Sequence, residues 1–478
     1  MRGNANPMGD MTWREGCGIC GVWGDREAAN YTYLGLHALQ HRGQESAGIV
    51  STDRRELYIH RGMGLVQEVF DQDVLRRLKG DAAIGHVRYS TTGASLLKNA
   101  QPLAVHTAHG SIAIAHNGNL VNASALRAEL EAEGSIFQST MDTEVIVHLI
   151  ARSRARGLKN RIVDALSRVE GSWSLLFLAP DLMVAARDPS GFRPLVLGRM
   201  RNAVVVASET SSFDLIGGTF EREVAPGELL VADDQGLKSF RPFEPRHLAR
   251  CIFEFVYFAR PDSFLFGRDV YMVRKRLGQR LAEEHPVRAD MVVPVPDSGL
   301  PAALGFSERA GIPFEMGLVR SHYVGRTFIE PSQSIRHFGV KLKLNANRRL
   351  LEGKRVVLVD DSLVRGTTMR KLVRMIRAAG ARQVHVRLSS SPIIGSCPYG
   401  IDTPTREELI ASRNRVAQVG RLIGSTSLGY LSIEGMLAAT GGPDGFCTAC
   451  FSNQYPVAPE ARRGCSSEPF EVMDKRRK

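Results

Sequence analysis

Val356-Val-Leu-Val-Asp-Asp-Ser-Leu-Val-Arg-Gly-Thr-Thr368 runs from a dense apolar segment straight into two carboxylates, a glycine and two hydroxyls. Apolar residues from Arg355 to Val359 suit a strand covered on both faces, which is how parallel sheets are buried. A polar loop follows, then helical spacing from about Thr367 to Ala379, then a second apolar run at Val384–Leu388. Strand, helix, strand is a βαβ unit. With a further buried run at Met291–Val295, it predicts a doubly wound parallel sheet.

Such sheets bind ligands at the carboxyl ends of their strands, where Asp360 and Asp361 fall. The residues after them, Ser362 to Thr368, offer backbone N–H groups, hydroxyls and a helix N-terminus, all suited to a phosphate. Two carboxylates beside a phosphate cradle would repel the ligand unless they face its hydroxyls or a Mg²⁺ ion. A ribose 5-phosphate meets both demands. The plainer alternative is an N-cap aspartate before a threonine-rich turn. No Gly-x-x-x-x-Gly-Lys-Ser/Thr run exists, so a P-loop is not indicated.

Upstream, Val293-Pro-Val-Pro-Asp-Ser-Gly299 is a second strand-end loop, whose glycine and serine would let backbone approach a diphosphate; alone, it reads equally as a proline-rich turn. Between the two loops lies His322–Asn345, a polar stretch flanked or filled by Arg320, Arg326, Arg336, Lys341 and Lys343. It is either a basic lid, closing over Tyr323–Lys343, or a solvated surface loop.

An irregular connection at Pro242–Arg250 separates this half from one of different texture. There, Ser111–His116, Leu175–Leu178, Met183–Ala186 and Ala203–Ala207 read as strands, and Tyr31–His41 and Asp142–Ala155 as helices. Sheets packed together with helices outside are expected. Cys17-Gly-Ile-Cys20 opens this half; by spacing it is a redox pair or half of a zinc site completed by Cys447 and Cys450. If the leader ahead of Cys17 is removed, one residue carries both a thiol and a free α-amine, and the amine can serve as base for the thiol. Gly85–Gly93 supplies Arg88 for a bidentate hold on a carboxylate, and Asp142 offers a partner for an ammonium. His116-Asn-Gly-Asn-Leu120 reads as a tight turn whose Asn117 amide and Gly118 N–H would form an oxyanion hole. Singly, an Asn-Gly pair is a hairpin and an Asp before a helix is a cap. The set suits amide hydrolysis.

The Asp-Asp–x4–Gly-Thr-Thr loop resembles the phosphoribosyltransferase signature. The Cys17 set, with Leu39–Ile49, resembles the N-terminal-nucleophile glutamine amidotransferases. Together, from Cys17 to about Tyr455, the chain is similar to the amidophosphoribosyltransferase family. The resemblance implies an αββα sandwich glutaminase domain over residues 17–245. A phosphoribosyltransferase domain with a doubly wound parallel sheet would follow over 246–455, and a disordered tail over 456–478. Glutamine would be attacked by Cys17, held by Arg88 and Asp142, with Asn117 and Gly118 on the oxyanion. 5-Phosphoribosyl-1-pyrophosphate would sit on Asp297, Ser298, Gly299, Asp360, Asp361, Ser362, Arg365, Gly366, Thr367 and Thr368, with Mg²⁺ at Ser298, Asp360 and Asp361. The products would be 5-phosphoribosylamine, glutamate and pyrophosphate, opening purine synthesis. A homotetramer inhibited by purine nucleotides is implied as well.

The cysteines extend this reading. Cys251, Cys397, Cys447 and Cys450 support zinc, iron–sulfur or no metal when only their positions are considered. One branch of the family carries a [4Fe–4S] cluster on cysteines in these contexts and a cleaved leader, here residues 1–16, although Met8 and Met11 could also initiate. Where Cys20 stands the family commonly has a larger apolar or aromatic residue; Cys20 and Cys465 receive no role. Length and charge agree with these expectations. The 478 residues exceed one ordinary core, and 62 basic against 50 acidic residues give +12. That excess suits an anionic small substrate better than nucleic acid, since 7% aromatics supply no stacking platform. No run reaches the roughly eighteen apolar residues of a membrane helix, no signal peptide is evident, and seven cysteines are too few for a disulfide scaffold, so a cytoplasmic, reducing location is expected. Two other classes remain. A phosphoribosyl-binding regulator would not need Cys17, Arg88, Asn117 and Asp142. A sugar-phosphate or asparagine-forming amidotransferase would not need the Asp360–Asp361 loop.

Overall fold

The first half of the chain alternates apolar residues along its strands, and the computed structural model, which describes residues 16–89, 96–321, 344–442 and 445–458, stacks those strands into two antiparallel sheets. The strands are β1 (Gly18–Trp23), β2 (Ser46–Thr52), β3 (Leu57–Met63), β4 (Ala82–Arg88), β5 (Leu103–Thr107), β6 (Gly110–Leu120), β7 (Gly171–Ala179), β8 (Leu182–Arg187), β9 (Val196–Met200), β10 (Ala203–Ala207), β11 (Thr219–Glu223), β12 (Leu229–Asp233) and β13 (Gly236–Phe240). One sheet runs β11-β9-β10-β1-β4-β2-β3 and the other β13-β12-β8-β7-β6-β5. Because side chains alternate, Ile19 and Trp23 point between the sheets to meet Ala113, Leu176 and Met183, while Cys20 and Val22 face the helix Ala28–Ala38. The helices Ala123–Ala132, Thr143–Arg152 and Leu158–Leu166 cover the second sheet. Val145, Ile146, Leu149 and Ile150 of the middle one are all buried, each contributing about 2 kcal/mol relative to exposure. The layers are therefore helix, sheet, sheet, helix.

Beyond Phe240 the chain runs without regular structure to a short strand, β14 (Arg250–Cys251). The second sheet system comprises β15 (Met291–Pro294), β16 (Arg355–Asp360), β17 (Gln383–Leu388) and β18 (Ser427–Tyr430), all parallel and paired in that order. Val292, Val357 and Val359 turn to helices Val270–Glu284 and Leu300–Ala310, whereas Met291, Val293 and Leu358 turn to helices Thr367–Ala378 and Val416–Ile423. Both faces are covered, which is why these strands read as unbroken apolar runs. A last strand, β19 (Phe446–Cys447), pairs in parallel with β14, setting Cys447 opposite Cys251. Among the described residues no helix is long and apolar enough to cross a membrane.

Some expectations change. Asn117–Gly118 is not a turn: the strand continues through it, with Asn117 opposite Ser174 and Gly118 opposite Trp173. The long apolar run of β7 offers pairing partners as far as Gly171, and that ladder overrides the local Asn-Gly preference. Helices Ala123–Ala132 and Leu158–Leu166 were not expected, because each buries only two or three residues and its apolar stripe is thin. Asp142 precedes a helix but makes no cap bond to it. The Tyr323–Lys343 stretch with Arg326, Arg336, Lys341 and Lys343, residues 1–15 of the leader, residues 90–95 of the Arg88 motif, Cys465 and the tail beyond residue 458 lie outside the described residues, while the start of the expected disordered tail is held, the Val457 N–H donating to Tyr399.

Candidate active sites

Cys17 sits at the entry to β1, beside the exit of β4, so the ladder that aligns Gly18 with Val87 brings Arg88 and Tyr89 next to the thiol. Its Sγ donates to the Tyr89 carbonyl at 3.7 Å, and burial pushes the thiol above its ordinary value despite the Arg88 charge. Arg88 is buried and ion-paired with Glu45. From the facing sheet comes Asn117, wholly buried, whose Nδ2 donates to Ser208 Oγ at 3.4 Å and whose Oδ1 finds no partner among the described residues. Ser208 in turn accepts from the Ile19 N–H at 3.0 Å, so this hydroxyl joins the two strands. Asp142 accepts from Leu120 N–H at 2.8 Å and stands 3.8 Å from the His116 ring. Burial would raise its carboxyl, but the imidazole and the N–H hold it below the ordinary range. Arg88, Asn117, Gly118 and Asp142 thus end on strands or a helix start near one buried thiol. Cys20 does not join them: its side chain faces Gly35, away from Cys17, and its thiol is free.

Arg42, Glu209 and Glu254, which the sequence reading passed over, form a wholly buried charge network behind the nucleophile. Arg42 Nε donates to the Cys17 carbonyl at 3.1 Å, and its Nη atoms reach Glu209 at 2.5 Å and Glu254 at 2.7 Å. Glu209 also accepts from His41 at 2.8 Å and, from the second half of the chain, from Arg260 N–H at 2.9 Å and Ser263 at 2.7 Å. The only signal for it was that Arg42 lies inside Leu39–Ile49.

Segment Tyr257–Arg260 forms one wall of a cavity of about 770 Å³ at the carboxyl ends of β15 and β16. Asp297, Ser298, Asp360, Asp361, Ser362, Arg365, Gly366, Thr367 and Thr368 all line it. Asp361 N–H donates to Asp360 at 2.9 Å, and the Ser298 hydroxyl bonds to both carboxyls. Burial and the Asp361 charge push Asp360 far up, and burial raises Asp361 also, against the Ser298 and Ser362 hydroxyls and the Arg274 charge. Gly366 stands at φ +77°, starting the helix Thr367–Ala378 with its N-terminus toward the cavity. Arg365 is ion-paired with Glu408 at 2.9 Å, and Asp297 with Arg320. Gly299 is outside the lining; a Cβ there would lie 2.5 Å from the Val359 carbonyl, so this glycine serves the packing of helix Leu300–Ala310 on β16.

Cys251, Cys397, Cys447 and Cys450 gather on another side of the same half. Burial raises three of these thiols, and Cys450 feels the charges of the other three. Among the described residues no three His, Cys, Asp or Glu side chains close tightly enough to hold a single metal ion.

A buried thiol beside an arginine, a buried amide and a carboxyl, joined in one chain to a cavity lined by paired aspartates and a helix N-terminus, is the arrangement of a glutamine amidotransferase coupled to a phosphoribosyltransferase. A glutamine amidotransferase domain model matches residues 86–214 and a phosphoribosyl transferase domain model residues 268–389. Amidophosphoribosyltransferase 1, chloroplastic, of Arabidopsis thaliana is 55% identical over 95% of this chain and 81% of its own length. The amidophosphoribosyltransferase of Bacillus subtilis is 51% identical over 93% and 94%. The solved B. subtilis glutamine phosphoribosylpyrophosphate amidotransferase, complexed with ADP and GMP, superposes with a TM-score of 0.88 at 51% identity, covering 92% of this chain and 97% of that one. The chain belongs to the amidophosphoribosyltransferase family.

Proposed function

We propose that residues 17–245 hydrolyse glutamine and residues 246–455 transfer the ammonia to 5-phosphoribosyl-1-pyrophosphate. The carrying observation is that the two constellations belong to one chain and meet through the buried Arg42–Glu209–Glu254 network. With the leader removed, the Cys17 α-amine takes the thiol proton, which a thiol raised by burial will not give up unaided. Sγ attacks the glutamine amide carbon, with Arg88 on the α-carboxylate and Asp142 on the α-ammonium. The Asn117 amide and Gly118 N–H stabilise the oxyanion. The C–N bond breaks, ammonia leaves with the proton, and water hydrolyses the thioester to glutamate. In the second site ammonia bonds to ribose C1 as the C1–oxygen bond breaks and pyrophosphate leaves; the added nitrogen loses a proton to give 5-phosphoribosylamine.

Ser298, Asp360 and Asp361 suit Mg²⁺, because two adjacent carboxyls and the hydroxyl that bonds to both offer a hard cation oxygen ligands on one wall of the cavity. An ion held by these residues would supply positive charge against the leaving diphosphate. Gly366, Thr367 and Thr368 receive the 5-phosphate, with Ser362 and Arg365 beside them, and Asp297 faces the diphosphate.

Cys251, Cys397, Cys447 and Cys450 would hold a [4Fe–4S] cluster: the β14–β19 pairing sets Cys251 opposite Cys447, and Cys450 feels the other three thiols. It would tie the C-terminal segment to the core. Feedback inhibition by purine nucleotides is supported by the relative solved with ADP and GMP. A homotetramer and a reducing, cytoplasmic location complete the proposal; the six described cysteines are all free. The test is stoichiometry. Glutamine, the phosphoribosyl donor and Mg²⁺ should yield equal glutamate and pyrophosphate, and mass spectrometry should find Cys17 first. Glutamate release persisting in Cys17→Ala would refute the mechanism.

A further inference from the structure

We propose that Pro398–Gly400, a segment of the second half, is a positioning element for the oxyanion strand of the first; this rests on the assignment of Asn117 and Gly118 above. The Asn119 side chain donates from Nδ2 to the Pro398 carbonyl at 2.9 Å, across 279 residues of sequence. One residue pair further on, backbone meets backbone. A Cβ placed on Gly400, which stands at φ +97°, would lie 2.8 Å from the carbonyl carbon of Gly118 and 3.0 Å from its Cα. On the opposite side of Gly118, a Cβ there would meet the Ser172 carbonyl at 2.1 Å. Gly118 is therefore clasped between β7 of its own sheet and a segment from the other half. The Gly400 carbonyl also flanks Gly16, immediately before the nucleophile, where an added Cβ would come within 3.3 Å of it.

The segment itself is anchored on the first half. Arg193 Nε, buried, donates to the Tyr399 carbonyl at 3.3 Å, and the Tyr399 ring stacks on Phe192 with centroids 4.4 Å apart. From the other direction the Val457 N–H donates to the Tyr399 hydroxyl at 3.0 Å. An oxyanion donor acts only if it waits at the place where charge develops, and displacement of the order of an ångström is felt in rate rather than in substrate binding. The contacts of Pro398–Gly400 with the site fall on Asn119, Gly118 and Gly16, so it acts through the strand that carries Gly118.

Gly400→Ala in the full-length enzyme tests this, read by four measurements. Glutamine kcat is expected to fall about tenfold or more, with KM within about twofold. Alkylation of Cys17 by iodoacetamide, which passes through no oxyanion, is expected at the parental rate, as is ammonia-dependent phosphoribosylamine formation. Asn119→Ala adds no bulk and decides the matter if Gly400→Ala does not fold: a kcat loss of roughly threefold or more with the same two rates intact supports the proposal. Unchanged glutamine kcat in a folded variant overturns it. Loss of kcat, alkylation and ammonia-dependent activity together overturns it too, because the segment would then merely support the fold. Asn117→Ala separates the underlying assignment: if that variant keeps parental kcat, the oxyanion reading fails, whereas an inactive Asn117→Ala beside normal Gly400→Ala and Asn119→Ala sinks the positioning role alone.

Discussion

Asp142 and Asp360 are both half-buried carboxylates, yet their environments push them in opposite directions. Asp142 is answered by its own chain: a backbone N–H, a threonine hydroxyl and an imidazole hold it ionised. Arg88, across the same site, already has Glu45. Asp360 meets burial and a second carboxylate instead, relieved by the Asp361 N–H and the Ser298 hydroxyl, both uncharged. Around Cys17 the charged side chains are paired within the chain, and at Asp360 a second carboxylate stands where Asp142 has an imidazole. That difference is what the proposed function asks for: a site that would receive a polyanion with a cation can keep unbalanced carboxylates, while one that would receive a neutral zwitterion is paired internally.

The widest separation between the two should come from Cys17→Ala. Glutamine-dependent synthesis should fall by about a thousandfold or more, while synthesis from free ammonia stays near parental. Pyrophosphate release followed with each nitrogen source reads both, and joint loss would show that the halves do not work independently. Asp360→Asn should do the reverse, lowering both routes roughly a hundredfold because ammonia still needs the second site. It also sharpens the electrostatic contrast. Removing an uncompensated charge should leave thermal stability unchanged or raised, whereas Asp142→Asn should cost about 1–3 kcal/mol by depriving His116 and Leu120 of their anion. Parallel melting curves check this; destabilisation of equal size at both positions would erase the distinction. Arg88→Lys comes next, with glutamine KM up roughly tenfold to a hundredfold and ammonia-dependent synthesis unmoved, since an ammonium cannot reproduce a bidentate fork and would leave Glu45 less well paired.

The second half was the more legible in sequence. Buried parallel strands leave unbroken apolar runs, and the loop at their carboxyl ends keeps its ligand groups contiguous from Asp360 to Thr368, all within one cavity. The first half hides more. Its site is assembled from β1, β4, β6 and a helix start, and pairing across strands, not neighbourhood in sequence, brings Arg88 to Cys17. Asn117–Gly118 carried a turn signal that the ladder with β7 overrode. The Arg42–Glu209–Glu254 network left almost no trace, because buried charges that satisfy one another lie far apart in sequence and follow no periodicity. Gly299 shows a demand that sequence alone does not reveal: an added Cβ there would meet the Val359 carbonyl at 2.5 Å.

Glu144 offers the smallest and cleanest test of the contrast, because it belongs to the internally satisfied side without touching either site. It accepts from Gln138 N–H and Ser139 N–H at 2.8 Å each and from the Ser139 hydroxyl at 2.6 Å, closing the loop that leads to Asp142. Burial opposes its charge, but His148 and these donors bring it down to about 2 from 4.5. A carboxyl depressed on folding contributes stability that is fully present above its unfolded value, near pH 4.5, and is lost as pH falls toward 2. Glu144→Gln should therefore cost about 2 kcal/mol at pH 7, and the gap between variant and parent should narrow steadily below pH 4.5. Glutamine-dependent and ammonia-dependent rates should change less than about twofold, as Asp142 is still held from Leu120 and His116. Urea unfolding across that pH range measures it, and a gap that stays constant down to pH 3 would mean that the loop is held by something other than the Glu144 charge.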